Sequence, residues 1–257
     1  MKRTYIRILS LLVACLILSN AAFAGNKRVL YIGDSITDGG WGRSGGMMTP
    51  SEKRNHKDLN HLYGHSFMML CAAHYMSEYP DSDYVFLNRG ISGNTLNDVA
   101  QRWQADALDL KPDVVTLLVG TNDIDRYLAD YEKDNNLNFD YREWGKQYEQ
   151  LLDQLVEQNP HVTILVGSPF VDKGGKIGKA PTFAKRQKMI RKLGNIIADI
   201  AKNHHAIYLP FREMFEQLTK TQPREHYWIW DGIHPTTAGH QRMADLWVEM
   251  ADRMHVL

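Results

Sequence analysis

The chain has 257 residues, 44% of them hydrophobic, and 30 basic residues balance 30 acidic ones. That length suits one domain with a sizeable core. The lack of net charge gives no reason to expect nucleic acid or an anionic membrane surface as a partner.

The amino terminus reads as a leader. Lys2, Arg3 and Arg7 precede an apolar run from Ile8 to Leu18, and Ala22-Phe23-Ala24 fits the small-x-small cleavage pattern. Residues 1–24 are therefore expected to be a secretory signal peptide. The run falls short of the roughly 20 residues of a membrane span, so no transmembrane segment is expected. Cleavage leaves residues 25–257 as a single domain. Three basic and no acidic residues leave with the leader, taking the net charge from 0 to −3. Leu12-Val13-Ala14-Cys15 also fits a lipobox. A lipid anchor on Cys15 is thus the alternative to a secreted or periplasmic location. Past the leader only Cys71 remains, which excludes a disulfide framework. Cys71 lies in an apolar helical stretch and reads as a small buried hydrophobe.

From residue 29 onward strands and helices alternate. Val29–Ile32 is the first expected strand. His61–Tyr79 is a helix with Leu62, Phe67, Leu70, Cys71 and Met76 along one side. Tyr84–Leu87 is the second strand and Asn97–Leu108 the next helix. Val114–Val119 runs six residues without a charge, which suits a central parallel strand buried on both faces. Asp140–Gln158 is a helix carrying Tyr148, Leu151, Leu152, Leu155 and Val156. Val162–Val166 is a strand, Pro181–Asn203 a helix and Ala206–Leu209 the fifth strand. The last helix spans Thr237–Met254, with Met243, Leu246, Trp247 and Met250 at helical spacing. The fold class is α/β: a three-layer α/β/α sandwich with a five-stranded parallel sheet and right-handed crossovers.

Three strands end in polar, glycine-bearing blocks: Gly33-Asp34-Ser35, the run Asn88 to Asn94, and Gly120-Thr121-Asn122-Asp123. The carboxyl ends of strands are where open α/β sheets bind ligands. A fourth block, Asp231-Gly232-Ile233-His234-Pro235, puts an acid three residues before a histidine. Ser35 is a weak nucleophile unless a base takes its proton. His234 has the pKa range to do so, and Asp231 would hold its Nδ1–H. Pro235 disfavours helical geometry at His234 and places it on the loop before the last helix. Candidate oxyanion donors are the N–H of Ser35, a backbone N–H of the second block at Gly90 or Gly93, and the amide of Asn122. Singly, each of these residues also has an ordinary reading: a turn serine, a buried asparagine, a capping aspartate, a surface histidine. The combination is what carries the signal. Asp34 reads as a structural turn residue and Asp123 as a loop anchor.

Metal chemistry is the rival reading. His61 and His65 are spaced i, i+4 but lack a His-Glu-x-x-His acid. His56, His61, His65 and His74 read as surface or loop residues, and His204-His205 as a helix end. No metal and no cofactor are expected.

The four blocks, in this order, resemble those of the SGNH (GDSL-type) hydrolase superfamily, whose four named residues fall on Ser35, Gly93, Asn122 and His234. The resemblance implies a flavodoxin-like sandwich, a serine nucleophile, a triad completed by the Asp-x-x-His block, and an oxyanion hole using Gly93 and Asn122. The segment Trp228 to His240, with Arg102-Trp103 and Ser168-Pro169-Phe170, is similar to the branch holding bacterial acetylxylan esterases and other carbohydrate O-deacetylases. That implies an ester of a small molecule or oligosaccharide as substrate. Trp41, Trp228 and Trp230 are candidates to stack on sugar rings. Gly39 to Asn60 is a long polar insertion placed to wall the cleft above Ser35. A lysophospholipase or thioesterase of the same superfamily, or a silent carbohydrate-binding domain on this scaffold, are the other readings.

Overall fold

The computed structural model describes residues 27–41 and 63–257. The expected leader, Cys15, His56, His61 and most of the insertion from Gly39 to Asn60 lie outside the described residues.

Five strands form one parallel sheet: β1 Arg28–Gly33, β2 Val85–Gly90, β3 Val114–Leu118, β4 Thr163–Gly167 and β5 Ile207–Leu209. Their order is β2-β1-β3-β4-β5. All five residues of β3 are buried, as its uncharged run requires. The chain leaves β1 for β2 on one side, then crosses back to build β3, β4 and β5 on the other. The order therefore reverses at β1, and the carboxyl ends of β1 and β3 border the crevice that such a reversal opens.

The helices are α1 Ser35–Asp38, α2 Phe67–Glu78, α3 Leu96–Gln101, α4 Trp103–Asp106, α5 Thr121–Tyr131, α6 Tyr141–Gln158, α7 Gly175–Lys179, α8 Phe183–Asn203, α9 Phe211–Thr221 and α10 Thr237–Arg253. Two cores sandwich the sheet. On one face Phe67, Cys71 and Tyr75 of α2 meet Met243 and Trp247 of α10 and Phe211 and Phe215 of α9. On the other, Leu96 and Val99 of α3 join Tyr148, Leu151 and Leu152 of α6 and Ile190, Leu193 and Ile197 of α8. Trp247 spans its layer fully buried and donates Nε1–H to Thr116 Oγ1 at 2.9 Å. Cys71 is fully buried, and burial pushes its thiol up to about 12.

The expected strands all form, within a residue or two, or three at β2's end. The helices differ more. Residues 63–66 are not helical. The backbone at Gly64 has φ +73°, and extended Ser66 occupies the capping position of α2, which therefore begins at Phe67. The expected helix Asn97–Leu108 is broken at Arg102, where φ −111° and ψ 9° leave the helical region. Thr95 and Asp98 form a capping box ahead of it. Val156 lies on the exposed side of α6 rather than in the core. Four helices, α1, α5, α7 and α9, go beyond the sequence reading. In α9, Phe211, Met214, Phe215 and Leu218 do follow the i, i+3, i+4, i+7 rule. In α5, Ile124, Tyr127, Leu128 and Tyr131 keep the same spacing, which the sequence reading passed over among the surrounding charges.

Candidate active site

The site is assembled where β1, β2 and β3 end. After Gly33 the chain turns directly into α1. Asp34 caps this helix, its Oδ1 accepting from Ile36 N–H at 3.0 Å. Ser35 is thus the first residue of α1, and its N–H is one of the helix donors with no intrahelical partner. Across the crevice, the Asp231 loop is clamped at its base. Ile229 bridges Pro235, Trp230 N–H donates to His234 O at 3.0 Å, and Thr236 N–H to Trp228 O at 2.9 Å. Gly232 lets the loop turn at φ +98°, a region in which a side chain is strained.

Three side chains meet in a relay. Ser35 Oγ and His234 Nε2 are 2.8 Å apart. His234 Nδ1 and Asp231 Oδ2 are 2.7 Å apart. Asp231 Oδ1 also accepts from the N–H groups of Ile233 at 2.9 Å and His234 at 2.8 Å. Burial alone would raise this carboxyl. The hydrogen bonds from His234 and Ile233 outweigh it and hold Asp231 below its ordinary value. It therefore stays ionised beside the imidazole, which fixes the ring with Nδ1–H toward Asp231 and Nε2 toward the serine.

The opposite flank of Ser35 is built from the second and third blocks. Asn122, the second residue of α5, donates Nδ2–H to Asn94 O at 3.0 Å and lies 3.4 Å from Asp34 Oδ2. Asn94 is held in turn by Arg102, whose Nε donates to Asn94 Oδ1 at 2.8 Å. The same guanidinium donates to Arg89 O at 2.8 Å and Gly33 O at 3.0 Å, tying the ends of β2 and β1 together. It also pairs with buried Asp106 at 2.8 Å. The two glycines of the second block are distinct. A Cβ on Gly90 would meet Asp38 N at 2.2 Å, so Gly90 is sealed against α1. A Cβ on Gly93 would meet nothing within 4 Å, and its φ is +81°. Of the two, Gly93 is the one with open space beside its backbone.

Two buried acids underlie this flank. Burial pushes Asp34 up to about 7, against the pull of Ile36 N–H and His234. Burial likewise raises Asp123 to about 6, although it accepts from Trp144 Nε1 at 2.9 Å and Leu96 N at 3.1 Å. Asp34 does serve the turn, and Asp123 ties α3 to α6.

The cleft beside Ser35 has a volume of about 390 Å³ and is bordered by Gly39, His65, Met69, Leu70, Trp230, His234 and His240. A cleft of similar size near Tyr127 and Lys185 contains none of the four blocks. Of the tryptophans expected to meet substrate, Trp230 is 57% exposed at the cleft. The other two are corrections. Trp41 is 1% exposed, with Nε1 donating to Gly90 O at 2.7 Å and Arg89 over its ring. Trp228 is 8% exposed beneath Arg242 and Tyr227. Both pin loops and offer no face to a ligand. His65 is exposed at the cleft edge, and no group of three metal-ligating side chains occurs among the described residues. The sequence reading missed Arg102, Asn94 and His240 as parts of the site. Arg102 entered the sequence reading only beside Trp103, in the resemblance to the carbohydrate-esterase branch, without a role.

A relay of this kind at the end of β1, faced by amide donors from the ends of β2 and β3, invites comparison with known hydrolases. The profile of the GDSL-like lipase/acylhydrolase family matches residues 31–242. The chain belongs to this family. It is a carboxylic ester hydrolase with the α/β architecture of the SGNH hydrolases. Among its relatives, an acetylxylan esterase of Geobacillus stearothermophilus is 29% identical over 221 residues, 85% of this chain and 90% of that one. The solved structure of LAE5, an α/β hydrolase from the metagenome of Lake Arreo, Spain, superposes with a TM-score of 0.69 at 27% identity, covering 90% of this chain and 97% of that one. A catalytic mutant of the acetylxylan esterase Axe2 from Geobacillus stearothermophilus gives 0.68 at 25% identity, over 88% and 94% of the two chains. No helix among the described residues of this GDSL-like hydrolase is long and apolar enough to cross a membrane.

Proposed function

We propose that this esterase removes O-acetyl groups from carbohydrate, with xylan-type oligosaccharides as substrates, through an acyl-enzyme on Ser35. The observation that carries the reading is the hydrogen-bonded relay Ser35–His234–Asp231 opening onto a cleft with exposed Trp230 at its wall. The acetylxylan esterases among its relatives support the substrate class.

In this reading Ser35 Oγ attacks the acetyl carbonyl carbon while its proton passes to His234 Nε2. The carbonyl oxygen becomes an oxyanion held by Ser35 N–H, Gly93 N–H and Asn122 Nδ2–H. Asp231 stays ionised and stabilises the imidazolium. The bond to the sugar oxygen then breaks, and the leaving alkoxide takes the proton from Nε2. Water repeats the sequence on the acetyl-serine and releases acetate. Trp230 offers a flat face to the sugar. Residues 1–24 support export of the protein by a signal peptide, with anchoring through Cys15 as the alternative; the amino-terminal mass of the protein from its native host separates the two.

The test is a series of p-nitrophenyl esters from acetyl to octanoyl run beside acetylated xylo-oligosaccharides. Acetyl should be cleaved fastest, and acetate should be released from the sugars. An apolar acyl slot would add about 0.8 kcal/mol per buried methylene. A rate that climbs steadily with chain length would therefore favour the lysophospholipase or thioesterase alternative.

A further inference from the structure

His240 lies on α10, six residues after His234, and borders the same cleft. Its Nδ1 accepts the backbone N–H of Phe67 at 3.1 Å. That N–H is the first of α2 and needs an outside acceptor. Ser66, the residue at the capping position, makes no side-chain cap, because its hydroxyl donates to Thr37 O at 2.8 Å. An imidazole that accepts at Nδ1 carries its proton on Nε2 when neutral. Burial, followed by the neighbouring His65 and His234, lowers this histidine to about 4, so it stays neutral at ordinary pH. Among the described residues Nε2–H has no protein acceptor. A cap alone requires only an acceptor, which a small side chain supplies. Here the imidazole adds a fixed donor at its far end, in a residue that borders the cleft.

The alcohol half of the substrate must also lie on this side. The leaving oxygen takes its proton from His234, so the sugar sits against His234. The cleft borders Ser35 and His234 but neither Gly93 nor Asn122. We propose that His240 is a specificity-determining donor, whose Nε2–H bonds a hydroxyl or ring oxygen of the sugar that carries the acetyl group. This rests on the carbohydrate reading above.

Two substitutions separate the donor from the cap. His240→Asn puts an amide oxygen where Nδ1 stood, keeping the cap and removing the far donor. His240→Gln places an amide nitrogen near the Nε2 position and gives up the cap. The readout is the ratio of kcat/KM for acetylated xylo-oligosaccharide to that for p-nitrophenyl acetate, with folding checked by circular dichroism. His240→Asn should lower the ratio about tenfold, as expected for one lost hydrogen bond to a sugar oxygen. His240→Gln should hold the ratio within about twofold while lowering the melting temperature. A ratio unchanged in His240→Asn, or lowered equally in both variants, overturns the proposal. In the wild-type protein, deacetylated xylobiose should shift the His240 Nε2–H resonance; its absence at saturating sugar is also contrary. Were the wild type to cleave p-nitrophenyl acetate and no acetylated sugar, the carbohydrate reading would fail first and this proposal with it.

Discussion

The two flanks of Ser35 are built in opposite ways. On the side proposed to hold the oxyanion, Asp34, Asp106 and Asn88 are buried, and the donors are braced by a chain from Arg102 through Asn94 to Asn122. On the base side the His234 and Asp231 side chains are 37% and 28% exposed on a surface turn. Burial drives Asp34 up to about 7, whereas hydrogen bonds hold Asp231 below its ordinary value. The difference suits the chemistry proposed for each flank. Donors that meet a developing charge work best fixed and shielded from water. A base that gains and loses a proton must reach both the nucleophile and a departing alcohol, so it stands at the open edge.

The largest effects should come from the open flank, although it is the less buried. Ser35→Ala and His234→Ala should each cost about 10⁴-fold or more in kcat, and the double variant little beyond either alone, because the pair acts as a unit. Near-normal turnover by a folded Ser35→Ala enzyme would falsify the nucleophile assignment. On the closed flank, Asn122→Ala should lower kcat about 10²–10³-fold with KM little changed, the mark of a donor that serves the transition state. An effect confined to KM would make Asn122 a substrate-binding residue only.

Arg102 sharpens the comparison because it touches neither nucleophile nor base. Arg102→Ala should cost roughly 1.5–3 kcal/mol of stability by removing the shorter ion pair to buried Asp106, which Arg89 still faces at 3.6 Å, with a further loss of kcat as Asn94 loosens. Arg102→Lys should recover little, since an ammonium lacks the fork that reaches Asn94, Arg89 and Gly33 together. Denaturant titration and kcat on p-nitrophenyl acetate report the two effects separately. Wild-type stability and turnover in Arg102→Ala would mean the brace is idle.

The flanks were also unequally legible in the sequence. Ser35, Asn122, Asp231 and His234 could be picked out because each sits in a short polar block next to an apolar run or a proline. The strands were readable for the same reason: uncharged runs with sharp ends. The brace was not, since Arg102 acts through carbonyls 13 and 69 positions away, which no local pattern encodes. The helix expected over Asn97–Leu108 breaks at that same residue. The tryptophans show a second limit. Trp41, Trp228 and Trp230 look alike as letters, and only the packing of Gly90 and Arg242 against the first two separates core from cleft.

Asp34 gives the closed flank a pH signature. Its folded value of about 7 lies above the ordinary 3.8. A carboxyl raised on folding favours the native state while protonated. That contribution is fully present below about pH 3.8 and is lost as pH rises through about 7. Asp34→Asn keeps an oxygen for Ile36 N–H and cannot ionise. It should therefore raise the melting temperature relative to wild type more at pH 8 than at pH 5. An equal change at both pH values would mean that Asp34 is not protonated in the folded protein near neutrality.

The smallest expected effect belongs to Trp230, the most exposed part of the open flank. Its indole is 57% exposed and packs on no other ring among the described residues, so Trp230→Ala should barely alter stability. The residue directly precedes Asp231, and its N–H bonds His234 O through the backbone, a bond that alanine retains. The relay should therefore survive. What alanine removes is a flat face at the mouth of the cleft. An aromatic stacking contact is worth about 0.5–1.5 kcal/mol beyond the area it buries. That predicts a loss of roughly 2- to 12-fold in kcat/KM on acetylated xylo-oligosaccharides, carried mainly by KM. p-Nitrophenyl acetate, which has no sugar ring to lay on the indole, should lose less. Phe at this position should restore part of the difference, because it returns a face without the indole N–H. If both substrates fall together, Trp230 acts by supporting the Asp231 turn. The open flank would then owe its specificity to groups deeper in the cleft.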